Sequence, residues 1–210
     1  MTRVATVMPP RYPAAATLPG VPFATRDPDA AVAETARLAG IRAPLCGSVR
    51  VVAVDGPSGS GKSVLGAAIG QALACPVLHM DDVYPGWDGL PQAVPLVTNQ
   101  VLEPLSRGEP SAYRRWDWLR NRWSRRIVRV PPTPELVLEG VGSSVVPAGD
   151  YATVCVWVDA ERGVRFARGI DRDGEAYRPH WERWAGQEEA LFAADRTRDR
   201  ADVLLDTTNL

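Results

Sequence analysis

The stretch VRVVAVDGPSGSGKSVLG, residues 49–66, decides the fold of this chain. Its first six residues are almost all apolar and β-branched, which is typical of a strand buried on both faces of a parallel sheet. Residues 63–74, SVLGAAIGQALA, predict a helix, and small residues stand with Lys62 between the two elements. Lys62 is the only lysine among 24 lysines and arginines. Because the chain uses arginine everywhere else, this position indicates a need for a compact ammonium group.

The glycine-rich segment between the predicted strand and helix matches the phosphate-loop pattern G-x-x-x-x-G-K-[ST]. Its glycines let successive N–H groups turn inward at a helix N-terminus, where a polyphosphate binds. We expect Lys62 to contact the β- and γ-phosphates and the hydroxyl group of Ser63 to ligate magnesium, so ATP and Mg²⁺ are the predicted cofactors. ATP is preferred over GTP because a guanine-reading N-K-x-D motif would need a second lysine. The predicted ATP contacts are Gly56, Ser58, Gly59, Ser60, Gly61, Lys62, Ser63 and Val64.

Short apolar segments alternate with helical patterns along the rest of the chain. Further strands are predicted at residues 76–80, 135–140, 152–159 and 201–206, and helices at residues 27–40, 95–107, 160–170 and 177–194. Strands separated by helices form βαβ units. The sequence therefore predicts an open α/β sheet that is covered by helices on both faces.

Composition limits the classes of protein to which the chain can belong. With 210 residues and 45% hydrophobic content it can bury one substantial core. A net charge of -1 gives no overall field that would attract nucleic acid, and no apolar segment reaches the roughly 18 residues of a membrane helix. The three cysteines lack metal-ligand spacing, and we interpret them as reduced thiols of a cytoplasmic protein. Residues 1–26 are proline-rich without a secretory signal, and we interpret them as an N-terminal arm before a domain at residues 27–210.

Two acidic segments follow predicted strands, where ligands bind in open parallel sheets. The first, HMDDVYPGW, offers Asp81 or Asp82 as the base that receives the proton of a phosphoryl acceptor. The second is Glu139, which ends the apolar segment LVLEG. A carboxylate there is costly unless it is paired or faces metal-bound water, so we assign Glu139 to the magnesium site. A turn or helix-cap role is the alternative for both segments.

These segments resemble, in type and order, the uridine kinase family of P-loop kinases. The resemblance covers residues 49–206 and is carried by GPSGSGKS, DDVY for the family's D-x-x-Y, LVLEG, and RFARGIDRD for its arginine-rich lid. It implies a P-loop NTPase fold, a three-layer α/β sandwich with a mostly parallel sheet and a small lid at about residues 168–182. It also implies a kinase that phosphorylates a nucleoside, with Asp81 as the base and Tyr84 as a substrate contact.

Arginines dominate the predicted lid. Arg162, Arg165, Arg168 and Arg172 are spaced so that one face of a helix carries them all. In a P-loop kinase such side chains neutralise the charge that develops on the transferred phosphoryl group. The resemblance reaches Arg168 and Arg172, which it implies as catalytic residues, and Arg178 is a further lid candidate. Tyr113 and Asp117 lie where the family has its Tyr-Asp substrate motif. A solvated, salt-bridged helix face is the alternative for the arginines.

The acceptor stays open at this point. Gly169 stands where the family has a second lid arginine, and the Tyr113–Asp117 spacing is wider than the family's adjacent pair. The loop also resembles that of cytidylate kinase, and gluconate kinase-like enzymes share the loop and the acidic turn, so a nucleoside monophosphate or a sugar acid is an alternative acceptor. Residues 113–129 interleave arginine and tryptophan, which fits partial core, a small-molecule wall or an RNA-binding switch protein. Nucleic acid has the weakest case of these, and a homo-oligomer is left open.

Overall fold

The computed structural model describes residues 21–175 and 177–210. Within them, a six-stranded sheet is accompanied by a separate two-stranded hairpin. The strands are β1 (Phe23–Thr25), β2 (Arg50–Asp55), β3 (Val77–His79), β4 (Ser111–Asp117), β5 (Arg122–Val130), β6 (Glu135–Glu139), β7 (Ala152–Asp159) and β8 (Val203–Asp206). The helices are α1 (Pro28–Ile41), α2 (Lys62–Ala72), α3 (Leu90–Val97), α4 (Glu103–Ser106), α5 (Arg162–Asp173) and α6 (Arg178–Asp195). A π-helical turn, Thr98–Leu102, joins α3 to α4.

The main sheet has the strand order β1-β8-β7-β2-β6-β3, and its neighbouring strands are parallel. Successive side chains of a strand point to opposite faces of a sheet, and β2 follows this rule. Val51 packs in a cluster with residues of α3 and α6, whereas Val52 and Val54 pack in a second cluster with residues of α1 and α2. Helices therefore cover both faces, which confirms the predicted three-layer α/β sandwich.

The predicted elements are observed with shifted ends. β7 has the predicted bounds, and α1 begins at Pro28 after Asp27, whose carboxylate accepts a hydrogen bond from the N–H of Asp29. The helix predicted at residues 95–107 begins earlier, at Leu90. The predicted start, Pro95, lies inside this helix. Pro91 stands instead in its first turn, where the missing N–H of a proline has no intrahelical acceptor.

The predicted N-terminal arm lies largely outside the described residues, since these begin at residue 21. Its last part does not fit an arm. Phe23–Thr25 forms β1, the edge strand that pairs with β8 from Phe23↔Val203 to Thr25↔Leu205. The folded domain thus includes this strand, which is too short and too exposed to show a period in the sequence.

The hairpin β4–β5 was not predicted. Its antiparallel register pairs Tyr113 with Val128 and Trp116 with Trp123, whose rings meet edge to face at 5.2 Å. Val128 and Val130 pack against the same core cluster as α3 and α6. The arginine–tryptophan segment is therefore in part core-forming, as one of the three interpretations held.

None of the helices in residues 21–175 and 177–210 combines the length with the apolar composition that crossing a bilayer requires.

Candidate functional site

The phosphate loop connects the central strand β2 to α2, as the sequence predicts. Gly56 and Gly59 have φ angles of 137° and 78°, which side-chain-bearing residues rarely adopt. A Cβ atom at Gly56 would overlap the carbonyl oxygen of Val158, and one at Gly59 would overlap that of Arg165. Among the described residues, no side chain caps the N-terminus of α2, which begins at Lys62. Its first N–H groups are thus available to an anion, as the loop pattern requires.

Lys62 is held inside the loop in this structure. Its side chain is 7% exposed, and its Nζ atom donates a hydrogen bond of 3.0 Å to the carbonyl oxygen of Pro57. A carbonyl oxygen is a neutral acceptor and a weaker partner for an ammonium group than a phosphate. The loop's own backbone therefore keeps Lys62 in place where a phosphate would attract it more strongly.

Glu139 lies at the carboxyl end of β6, between the phosphate-loop strand and β3. Its register partners are Val54 on β2 and His79 on β3. The buried carboxylate accepts a hydrogen bond of 3.1 Å from the hydroxyl group of Ser63, and its Oε2 atom lies 2.7 Å from Nδ1 of His79. Burial would raise the pKa of Glu139, but the hydrogen bond with His79 and the charge of Lys62 together lower it. These neighbours therefore favour the charged form of Glu139.

The oxygens of Ser63 and Glu139 fit a magnesium site. Hydroxyl and carboxylate oxygens suit this hard cation, which retains several waters and binds through few protein ligands plus phosphates. In the described part of the chain, no group of three or more His, Cys, Asp and Glu residues could hold a metal by itself. The pair thus suits a nucleotide-bound Mg²⁺ better than a permanent metal centre.

The structure separates the two adjacent aspartates after β3. Asp82 accepts a hydrogen bond of 2.9 Å from the hydroxyl group of Tyr113 and lies 2.8 Å from the guanidinium group of Arg115, so β4 occupies both of its oxygens. Among the described residues, the carboxylate of Asp81 has no hydrogen-bond or ion partner. The backbone of Asp81 is fixed, because its carbonyl oxygen accepts a hydrogen bond of 2.9 Å from the indole of Trp118. A free carboxylate on a fixed backbone is what a general base needs.

The surroundings of Asp81 change its basicity. Asp81 is an exposed residue, yet the protein around it desolvates its carboxylate. This desolvation and the negative charge of Glu139 raise the pKa of Asp81, and the charges of Lys62 and Arg172 partly oppose the rise. Lys62, Glu139, Asp81 and Arg172 therefore influence one another at one edge of the sheet.

The predicted lid arginines have different surroundings. Arg172 pairs with its neighbour Asp173 and remains half exposed, with its charge near Asp81. Arg168 donates hydrogen bonds to the carbonyl oxygens of Thr207 and Leu210, at 2.8 Å and 3.0 Å. It thereby fastens the C-terminal segment. Arg178 pairs with Glu175 on the surface, and its guanidinium group lies 5.1 Å from the centre of the Phe166 ring.

Three predicted substrate contacts have intramolecular partners. Tyr84 is 1% exposed, and its hydroxyl group donates a hydrogen bond of 2.8 Å to the carbonyl oxygen of Val141. Tyr84 is thus packed in the core with its hydroxyl group satisfied, and its role as a substrate contact stays a prediction. Tyr113 is likewise buried and bonded to Asp82. Asp117 accepts hydrogen bonds from the backbone and the guanidinium group of Arg120 in the hairpin turn.

Similarity to known proteins is found among solved structures. No protein-family model matches this sequence, and no curated protein matches it. Among solved structures, a Bacillus stearothermophilus protein described as a candidate uridine kinase is 21% identical, with a TM-score of 0.54 over 75% of this chain and 89% of that one. A Silicibacter sp. protein described as a candidate fructose transport system kinase is 18% identical, with a TM-score of 0.58 over 86% of this chain and 99% of that one.

The chain has the fold of the P-loop kinases. At these identities the likeness concerns the fold alone, and it confirms the predicted fold class.

Sequence reasoning missed several residues around the phosphate loop. Asp55 is fully buried and accepts hydrogen bonds from Gly56 and from the loop after β6, at Gly142 and Ser144. Burial raises its pKa to about 6, although these hydrogen bonds lower it. Glu188 on α6 contacts the phosphate loop. Asp55 precedes the loop pattern directly and could have been found, whereas nothing in the local sequence connects Glu188 with the loop.

Aromatic side chains also gather beside the segment that follows Asp81. Trp87 stacks on the ring of His180 at 4.4 Å and on that of Tyr177 at 5.3 Å. The ring of Trp118, at the hairpin end, lies 5.0 Å from Trp87. One aromatic cluster thus joins the segment that follows Asp81, the hairpin and the start of α6.

Proposed function

We propose that this chain is an ATP- and Mg²⁺-dependent kinase that transfers the γ-phosphate to a hydroxyl group of a small metabolite, with a nucleoside as the preferred acceptor. The observation that carries the proposal is the free carboxylate of Asp81 at the same sheet edge as Lys62 and Glu139. A nucleotide-binding switch would need the phosphate loop, but it would have no use for an unpaired carboxylate held beside it.

The nucleotide would be held by the phosphate loop. The N–H groups at the start of α2 would face the phosphates, and Lys62 would exchange the Pro57 carbonyl for a phosphate oxygen. Ser63 and Glu139 would hold Mg²⁺, which neutralises charge on the phosphates when bound. Val64 is 79% exposed next to the loop and is free to contact the rest of the nucleotide.

The acceptor would lie between Asp81 and the nucleotide. Asp81 would accept the proton of the attacking hydroxyl group, and its raised pKa brings its basicity closer to neutral pH. Arg172 is near enough to influence the charge of Asp81 and would stabilise negative charge on the transferred group. Positioning and charge stabilisation account for most catalysis of this type.

The nucleoside assignment rests on the D-x-x-Y segment and on the resemblance to uridine kinases. The candidate uridine kinase among the solved structures supports it. The second structure is described as a candidate fructose transport system kinase, so a sugar belongs in the same test.

The test is ADP release from ATP and Mg²⁺ with nucleosides, nucleoside monophosphates, sugars, sugar acids and pantothenate-like alcohols. Wild type and Lys62→Ala are compared, with Arg37→Ala as a control, because within the described residues Arg37 pairs only with Glu34 on the surface of α1. We expect turnover that depends on one acceptor class and is lost in Lys62→Ala only. Turnover that ignores every acceptor would contradict the kinase proposal and would make salt-sensitive RNA binding the next measurement.

A further inference from the structure

Glu188 is a buried carboxylate to which the proposed function assigns no role. It lies on α6, is 2% exposed, and has no cationic partner among the described residues. An unpaired buried carboxylate is strongly unfavourable unless several donors satisfy it. The hydrogen bonds that Glu188 accepts must therefore offset the cost of burying its carboxylate.

All of these hydrogen bonds converge on one oxygen. Oε1 of Glu188 accepts from the backbone N–H of Ser58 at 2.9 Å, from the hydroxyl group of Ser58 at 2.6 Å and from the indole N–H of Trp184 at 2.7 Å. Two of the three donors belong to a single residue of the phosphate loop. Glu188 thus binds the phosphate loop through Ser58, a position at which the loop pattern allows any residue.

The Pro57–Ser58 peptide is held at both ends. Its N–H donates to Glu188, while its carbonyl oxygen accepts from Nζ of Lys62 at 3.0 Å and from the N–H of Ser60 at 3.2 Å. Because a peptide unit is planar, fixing the N–H also fixes the carbonyl group on the opposite side. A rotated peptide would direct its carbonyl oxygen at the carboxylate of Glu188, which would be repulsive.

The same helix also holds the segment that follows Asp81. Trp184 packs edge-on against Tyr84 with ring centres 5.0 Å apart. The side chain of Gln187 donates a hydrogen bond of 2.8 Å to the carbonyl oxygen of Trp87. One helix therefore fixes both the phosphate loop and the segment that carries the proposed base.

We propose that Glu188 is a positioning residue for the phosphate loop. It holds the Pro57–Ser58 peptide in the orientation that presents Lys62 and the loop N–H groups to a nucleotide before the nucleotide arrives. A loop that is ordered in advance loses less conformational freedom on binding, so the nucleotide binds more tightly. The inference rests on the proposed function for its nucleotide and adds to it a residue on α6.

The test compares Glu188→Gln, Glu188→Asp and Glu188→Ala with wild type. Gln keeps an acceptor oxygen at the same distance, Asp keeps the charge but withdraws it by one methylene, and Ala removes both. Glu189→Ala is the matched control, since Glu189 is its exposed neighbour and pairs with Arg162. Calorimetric titration with a non-hydrolysable ATP analogue and Mg²⁺ measures affinity, thermal unfolding measures stability, and steady-state kinetics give KM for ATP and for the acceptor.

We expect Glu188→Ala and Glu188→Asp to bind the analogue at least about tenfold more weakly, the effect of losing a hydrogen bond to a charged group. Glu188→Gln and Glu189→Ala should stay within about threefold of wild type. The KM for ATP should rise while that for the acceptor is unchanged. If Glu188→Ala does not fold, the Gln and Asp variants decide the question, because both retain a polar group of similar size.

Two results would overturn the inference. Wild-type affinity in Glu188→Asp would show that the loop does not depend on the geometry of this contact, and a loss in Glu188→Gln as large as that in Glu188→Ala would show that the charge matters and the placement of the acceptor oxygen does not. If either result is obtained and wild type binds the analogue, only the role of Glu188 is contradicted, and the proposed function stands. Wild type that binds neither ATP nor its analogue contradicts the proposed function and this inference with it.

Discussion

The hydroxyl group of Tyr113 donates a hydrogen bond of 2.9 Å to Asp82, and in the described part of the chain the carboxylate of the neighbouring Asp81 has no partner. A residue of the hairpin thus distinguishes two adjacent aspartates that the sequence leaves equivalent. Asp82 fastens β4 to the segment after β3, and Asp81 retains an open carboxylate.

We therefore predict different defects for the two Asn variants. Asp81→Asn should reduce kcat by about 10²- to 10⁴-fold, the usual contribution of a general base, with unchanged binding of ATP. Asp82→Asn should mainly lower the melting temperature, because it loses the ion pair with Arg115. Steady-state kinetics and thermal unfolding of both variants check this. A larger loss of kcat in Asp82→Asn would reverse the assignment.

The raised pKa of Asp81 predicts a pH profile for turnover. Because the base must be deprotonated, kcat/KM should fall on the acid side with a midpoint above the ordinary pKa of an aspartate. The acid limb should be absent from the residual activity of Asp81→Asn. An unchanged acid limb in that variant would assign the titration to another group.

Glu139→Gln is expected to raise the Mg²⁺ concentration needed for half-maximal turnover by roughly 10- to 100-fold, since outer metal contacts contribute about this much. The amide has no charge to offer the cation or its waters. Glu135→Gln, at the opposite end of the same strand, is the matched control and should behave as wild type. Equal Mg²⁺ requirements in Glu139→Gln and wild type would remove Glu139 from the metal site.

Tyr84→Phe tests whether this tyrosine is core or substrate contact. The variant loses the hydrogen bond to Val141, and the free energy of unfolding should fall by about 1 kcal/mol. The KM for the acceptor should not change. An acceptor KM that rises without a loss of stability would support the substrate role.

Asp55 predicts a dependence of stability on pH. Its folded-state pKa of about 6 is above the ordinary value of 3.8, so the folded state holds this proton more tightly than the unfolded state. As pH rises from about 4 to about 6, the contribution of Asp55 to stability should therefore fall, by on the order of 3 kcal/mol. Denaturant unfolding of wild type and Asp55→Asn across this pH range isolates the contribution of Asp55 to stability. A difference between the two proteins that does not change with pH would contradict it.

The sequence by itself determined the layered α/β fold and the phosphate loop, because both are encoded within short stretches of chain. The apolar run of β2, the glycines and Lys62 require no distant partner to be recognised. The hairpin was missed because arginine fills many of its exposed positions and conceals the alternation of a strand.

Tertiary structure alone decided which polar groups meet. The hydroxyl group of Ser58 and the carboxylate of Glu188 are 130 residues apart in sequence and 2.6 Å apart in space. Asp81 is distinguished from Asp82 only because β4 occupies one of them, and the burial of Tyr84 against Val141 appears only in the packed chain. Local patterns specify backbone conformation, whereas the state of a carboxylate or a phenol depends on the neighbours that long-range packing brings to it.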